Sequence, residues 1–199
     1  PPVLRRRQRQ MCIRDSIELA HRLDRDTSGC LLLCKKRGVL KEVQAAFRAR
    51  SVKKNYSLIV AERWPKKART IQHRLLRYVT DWGERRVRVD PQGQLARTDF
   101  QIIDTAPKAT LLQATLHTGR THQIRVHAQY QGHSILGDTK YGKKQAANSG
   151  HEIERLCLHA SRLVVPIGKD RLDVSAPMEQ TMNKIWTRLK SEGAEPDAT

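Results

Sequence analysis

The chain has 199 residues, 38% of them hydrophobic, which suits one domain with a sizeable core. Lysines and arginines number 38 against 20 acids, and the formal charge of +18 is spread along the whole chain; that calls for a polyanionic partner, nucleic acid ahead of an acidic membrane surface. No long apolar run or lipidation signal supports a membrane protein, and the four cysteines (Cys12, Cys30, Cys34, Cys157) contain no CxxC pair to hold zinc. With no apolar signal segment either, a reducing cytoplasm is the expected location.

Residues 1–16, PPVLRRRQRQMCIRDS, are Arg-rich and lack a clear period. They are expected to lie outside the domain, as a disordered arm or a foreign segment; an RNA-contacting arm is the functional alternative. The domain itself is expected over 17–189, with 190–199 as a flexible tail.

Residues 21–29, HRLDRDTSG, pack two acids, two arginines and a histidine into a turn that feeds an apolar run, Cys30 to Cys34. A charged loop entering a buried strand is one place to hold a reactive carboxylate; a plain polar turn is the other reading. Asp26 is expected to cap that turn with its side chain. Gly29 to Lys35 carries apolar residues on both faces, which predicts a central strand covered on both sides.

Gly38 to Arg50 is predicted as an amphipathic helix burying Val39, Leu40, Val43, Ala46 and Phe47. Lys53 to Glu62 is predicted as a strand with Tyr56, Leu58 and Val60 on one face and Ile59 on the other. Thr70–Val79 and Arg85–Val89 read as strands around the turn Asp81-Trp82-Gly83-Glu84. Leu95–Thr105 and Ala109–His117 read as a second antiparallel pair.

Thr121 is a candidate N-cap for a helix over His122 to Gln131, with His122, Arg125 and Gln129 forming one polar stripe and Ile124 and Ala128 facing the sheet. Arg125 there could pair a carboxylate, hold a phosphate, or belong to a solvated face. Residues 133–155 are polar and are expected to be a surface loop. A hairpin around Gly168, formed by Leu156–Val165 and Arg171–Val174, and a helix over Pro177–Leu189 complete the chain. Many strands with few helices predict an α+β domain on a mostly antiparallel mixed sheet with flanking helices. His159 is expected to be a satisfied structural histidine. No Gly-rich phosphate loop or Walker lysine is present, and His122 and His127 have poor metal spacing, so neither a cofactor nor a metal is expected.

HRLDRDTSG at 21–29, KNY at 54–56, GRTHQIRVHAQYQGHSILGDTKYG at 119–142 and LCLHASRL at 156–163 together resemble the RluA-type pseudouridine synthases, and most of all their branch acting on large-subunit ribosomal RNA. The resemblance runs from about Ile17 to Leu189. It implies isomerisation of uridine to pseudouridine in RNA, without metal or organic cofactor, by a cytoplasmic, monomeric enzyme. On these motifs the catalytic aspartate falls on Asp24, the active-site tyrosine on Tyr56 and the third-motif arginine on Arg125. Arg22 matches the arginine associated with flipping the target base, and Arg120, His122 and Gln123 are expected to touch RNA. An arginine partner favours the ionised form of Asp24 and fixes its rotamer, and Tyr56 would stack on the uracil and assist proton transfer.

Two features depart from the family pattern. The strands with a Lys-Pro motif upstream of HRLD, and the small S4 domain before them, are not visible, so the chain is expected to be truncated at its N-terminus. Ser134 replaces the proline usual in GHPI. The rival expectation is a basic RNA-binding fragment without catalysis, or a synthase acting on transfer RNA.

Overall fold

The computed structural model describes residues 17–142, 153 and 155–192. Among the described residues ten strands and three helices follow in order: β1 (Glu18–Leu19), β2 (Ser28–Gly29), β3 (Leu33–Cys34), α1 (Arg37–Arg48), β4 (Lys53–Ala61), β5 (Thr70–Val79), β6 (Arg85–Val89), β7 (Gln94–Ala106), β8 (Ala109–Leu116), α2 (Gln123–Tyr130), β9 (Leu158–Ile167), β10 (Asp170–Ser175) and α3 (Gln180–Ser191). The expected α+β class is what the chain forms.

An eight-stranded sheet runs β10-β9-β4-β8-β7-β5-β6, every neighbour antiparallel, with β2 added parallel to β9. Short turns join β5 to β6, β7 to β8 and β9 to β10, the connection antiparallel pairing permits. β4 lies between β8 and β9 because both its faces are apolar: Leu58, Ile59 and Val60 are all fully buried. Two helices cover the sheet. α1 buries Leu40, Val43 and Ala46 in a cluster with Leu163 and Val165 of β9, and α3 sends Met182, Trp186 and Leu189 into the main core. α2 is buried nearly all round, from Gln123 to Ala128.

Several local expectations are corrected. Gly29–Lys35 is not a central strand: Ser28–Gly29 pairs with His159–Ala160, whereas Leu33–Cys34 pairs with Glu18–Leu19 in a separate two-stranded sheet. Only one face of the run is covered; Leu31 and Leu33 are exposed, while Cys30, Leu32 and Cys34 pack towards α1. The chain leaves β9 at Gly29, whose φ is +107° and where a Cβ would overlap the carbonyl of Ala160.

The helix expected from His122 starts at Gln123. His122 takes a left-handed φ of 52°, and Thr121 does not cap it. The helix start carries no side-chain cap; the Gln123 side chain instead accepts the Arg120 backbone N–H at 3.0 Å and braces the loop before the helix. The expected polar stripe is split: Gln129 is exposed, but Arg125 is buried.

Of the expected surface loop over 133–155, residues 143–152 and 154 lie outside the described residues, and residues 133–142 do not simply run over the surface. Ser134, Ile135, Leu136 and Asp138 are buried, Ile135 bridges Val60, and Leu136 N–H donates to the Ile59 carbonyl at 2.9 Å. β4 supplies backbone partners for the Leu136 N–H and the Ser134 carbonyl, so this part of the segment can be buried without losing those hydrogen bonds. The C-terminal helix begins at Gln180, three residues after Pro177. The expectations for residues 1–16 and Cys12, and for the 193–199 part of the tail, lie outside the described residues.

Candidate active site

The HRLDRDTSG turn is tied down at both ends. His21 Nε2 accepts the Leu32 N–H at 3.0 Å, and its ring stacks on Phe47 of α1 at 5.1 Å between centroids. Burial lowers the His21 pKa, which suits an imidazole that must keep Nε2 unprotonated to accept. Past the turn, Ser28 Oγ bonds His159 Nδ1 at 2.8 Å, and His159 is buried on β9, the structural role expected for it. Between these anchors Thr27 N–H closes the turn onto the Asp24 carbonyl at 3.0 Å. Asp26 is exposed and caps nothing among the described residues; the backbone closes the turn without it.

Asp24 is thereby presented to a cavity of about 320 Å³, with Tyr56 from β4, Leu116 from β8, and His122 and Arg125 from the start of α2. Its side chain is 21% exposed, and its Oδ2 lies 4.0 Å from Arg125 Nη1. Arg125, whose side chain is only 4% exposed, has a closer partner. Its Nε and Nη2 donate to the two carboxylate oxygens of Asp138 at 2.8 and 2.7 Å, a bidentate pair with Asp138 wholly buried at its side chain. Asp138 Oδ1 also accepts the backbone N–H groups of Lys140 and Tyr141, both at 2.9 Å. Burial opposes the guanidinium's charge, but the hydrogen bonds and charge of Asp138, with Asp24 behind them, raise its pKa. Arg125 thus reaches Asp24 as a fixed cation.

Tyr56 is held as a neutral phenol. Burial, with the charge of Asp24 next and Cys30 after it, pushes its pKa up to about 12. It can stack and donate a hydrogen bond, and it is not a resting base. His122 Nδ1 lies 2.7 Å from the Tyr141 hydroxyl, which also accepts the Val87 N–H at 3.0 Å. Burial likewise raises Tyr141 to about 12, so its proton is available to His122 Nδ1, placing the ring's own proton on Nε2. The His122 pKa is lowered, chiefly by burial and against the pull of Asp24.

Arg22 is exposed and lines the cavity. Arg120 also lines it, with Nε on the Leu95 carbonyl at 3.2 Å. Gln123 is buried, and its amide is committed within the protein: Nε2 donates to the Arg97 carbonyl and Thr98 Oγ1, and Oε1 accepts from Thr118 and the Arg120 N–H. It shapes the Thr118–Thr121 loop. Asp138 and Tyr141 were not singled out by sequence reasoning, although both stand in the third quoted motif. No spacing on one helix could point to them, because they meet Arg125 from the segment after it. Among the described residues no group of three His, Cys, Asp or Glu side chains is placed to hold a metal ion.

A family profile described as RNA pseudouridylate synthase matches residues 6–130. The chain belongs to the RNA pseudouridylate synthase family. Ribosomal large subunit pseudouridine synthase C of Vibrio vulnificus (strain CMCP6) is 41% identical over 179 residues, covering 88% of this chain and 56% of that protein. The protein of the same name from Escherichia coli (strain K12) is 38% identical over 181 residues, covering 88% and 57%. The chain therefore spans about half the length of the curated relatives it matches. Among solved structures, Human RNA Pseudouridylate Synthase Domain Containing 4 superposes with a TM-score of 0.74 at 25% identity, covering 89% of this chain and 77% of that one. Human RNA Pseudouridylate Synthase Domain Containing 1 gives 0.72 at 23% identity over 98% and 87%, a likeness of fold.

Proposed function

We propose that this protein isomerises uridine to pseudouridine in RNA, with large-subunit ribosomal RNA as the substrate and Asp24 as the catalytic carboxylate. The observation that carries the reading is Asp24 beside the fixed Arg125 cation in a cavity shared with Tyr56. A volume of about 320 Å³ is at the lower end of the roughly 300–1,000 Å³ of small-ligand clefts, so it suits one extruded nucleotide and not a stacked duplex.

The isomerisation breaks the N1–C1′ bond and forms C5–C1′; the C5 proton leaves and N1 gains one. Asp24 acts at the sugar, as nucleophile or by initiating abstraction. Arg125 sets a fixed positive charge beside that carboxylate, 4.0 Å from its Oδ2. Tyr56 stacks on the detached uracil and donates to it as a phenol. Arg22 fills the space the extruded base leaves, offsetting an unstacking cost of a few kcal/mol. Arg120 and His122 contact the nucleotide or its neighbours, while Gln123 supports their loop. The protein acts as a monomer without metal or cofactor. Its free thiols at Cys30, Cys34 and Cys157 suit a reducing cytoplasm.

The test is to incubate the protein with large-subunit ribosomal RNA and with transfer RNA transcripts, then map pseudouridine by a base-specific adduct that stops reverse transcription. New stops in the ribosomal transcript alone are expected. Stops in transfer RNA alone would move the substrate, and stops in neither, with RNA still bound, would leave a binding fragment.

A further inference from the structure

The catalytic cavity has one further cation in its wall. Lys54 stands on β4 two residues before Tyr56, so on a pleated strand both side chains leave on the same side, and both line the cavity. His21, Phe47 and Gly119 belong to the same wall. The Lys54 Nζ lies against the loop before α2: a Cβ built on Gly119 would stand 3.3 Å from it. The side chain thus crosses from β4 to the cavity loop instead of running out into solvent.

The other cations of the cavity are committed or exposed. Arg125 is gripped by Asp138, Arg120 Nε bonds the Leu95 carbonyl, and Arg22 is exposed. Lys54 is half-buried and makes no hydrogen bond or ion pair among the described residues. The charge of Asp24 acts on Tyr56, His122 and Arg125. What acts on Lys54 is burial and, after it, the like charge of Arg50, and both lower its pKa. An ammonium withdrawn from water without a counter-charge is poorly stabilised by the protein alone, and it gains most when negative charge arrives beside it.

In the isomerisation, negative charge arrives on the base. Breaking C1′–N1 with the electron pair leaving on N1 gives a detached uracil whose charge spreads over N1 and the two carbonyl oxygens, whichever way Asp24 acts at the sugar. We propose that Lys54 is a catalytic residue of that step: its Nζ–H donates a hydrogen bond to a carbonyl oxygen of the uracil stacked on Tyr56 and stabilises the anion while the ring turns. No proton passes from Lys54. When C5 bonds to C1′ the ring is neutral again, the C5 proton leaves, N1 takes one up, and the Lys54 hydrogen bond weakens. Uridine itself is neutral, so the contact is stronger in the transition state than in the substrate complex, and a contact of that kind raises kcat and leaves KM alone. The inference rests on the uridine-isomerising function proposed above and adds a residue that acts on the departing base.

Lys54→Met keeps the apolar stem and removes the charge, so its urea midpoint is expected to hold or rise. With a large-subunit ribosomal RNA transcript it is expected to lower kcat about 100-fold, as loss of one donor to a developing anion does, with KM and Kd within about twofold of the wild type. A second substrate separates an effect on the departing base from any other. In a transcript made with 5-fluorouridine in place of uridine, the electron-withdrawing fluorine itself stabilises the detached ring. Rearrangement of that nucleoside, read by chromatography of nuclease digests, is expected to slow by less than about tenfold in Lys54→Met. A loss confined to KM or Kd, as a phosphate contact would give, overturns the role, as does an equal loss of rate on uridine and 5-fluorouridine or no loss on either. Tritium release from 5-labelled uridine by the wild type tests the isomerase separately.

Discussion

Removing the charge of Asp138 should damage this protein more than removing that of Asp24, although Asp24 is the proposed catalytic carboxylate. Arg125 is buried and makes two charge-assisted hydrogen bonds to Asp138 at 2.7 and 2.8 Å, against a single 4.0 Å approach to Asp24. Breaking a buried pair by removing one partner typically costs about 3–5 kcal/mol, since the other charge stays uncompensated. Asp138→Asn keeps an acceptor for the Lys140 and Tyr141 N–H groups, so a loss of about 3 kcal/mol is expected, a large share of the roughly 5–15 kcal/mol available to a domain. Asp24→Asn, at a partly exposed and longer contact, should cost under about 1 kcal/mol. Urea unfolding of the wild type, both single variants and their combinations with Arg125→Met measures this. Coupling of about 2–3 kcal/mol is expected between Arg125 and Asp138, and under about 1 kcal/mol between Arg125 and Asp24. In tritium-release assays Asp138→Asn should lower kcat more than it raises KM, because it releases the cation that orients Asp24. Equal destabilisation by the two carboxylate variants, or stronger coupling to Asp24, would refute the assignment of Asp138 as the residue that positions Arg125.

Two further outcomes follow from buried titratable groups. Tyr56 and Tyr141, pushed up to about 12, should ionise late in an ultraviolet titration of the folded protein, and Tyr56→Phe should remove one of the two late transitions. Because the folded pKa of Tyr56 lies above the unfolded value of about 10, its contribution to stability is complete below pH 10 and is lost as pH rises from there towards 12. His127 is fully buried with Nε2 unpartnered and Nδ1 on Thr98 Oγ1 at 2.9 Å, and burial, with His73 beside it, lowers its pKa to about 4. Here the unfolded chain takes up the proton first, so stability is complete above about pH 6.5 and falls towards pH 4 by on the order of 3 kcal/mol. An NMR titration should find this imidazole neutral at pH 5; a midpoint near 6.5 would contradict it.

The elements read well from the sequence are those whose environment is uniform along their length. β4, β5, β6, β7 and β8 alternate or run apolar between turn residues, and the structure places them within one or two residues of expectation. The reading failed where burial depends on a distant segment. Cys30 to Cys34 has the composition of a central strand but meets the sheet only at its Ser28–Gly29 edge. Residues 133–155 read as a polar surface loop, yet Ser134 to Asp138 threads beside β4 because β4 and Arg125 supply its partners. The same limit governs the site. Asp24, Tyr56 and Arg125 were legible as motif positions, and they do meet at one cavity. That Arg125 leans on Asp138, and that Tyr141 orients His122, is geometry that no local period encodes.

The central claim, that Asp24 is the catalytic carboxylate of a uridine isomerase, is tested most directly by tritium release from RNA carrying 5-labelled uridine, comparing wild type with Asp24→Asn at matched RNA saturation. Exchange of the C5 bond to the sugar expels that tritium, so the wild type should release it and Asp24→Asn should release none above background while still binding RNA. Release by the variant at the wild-type rate would contradict the account.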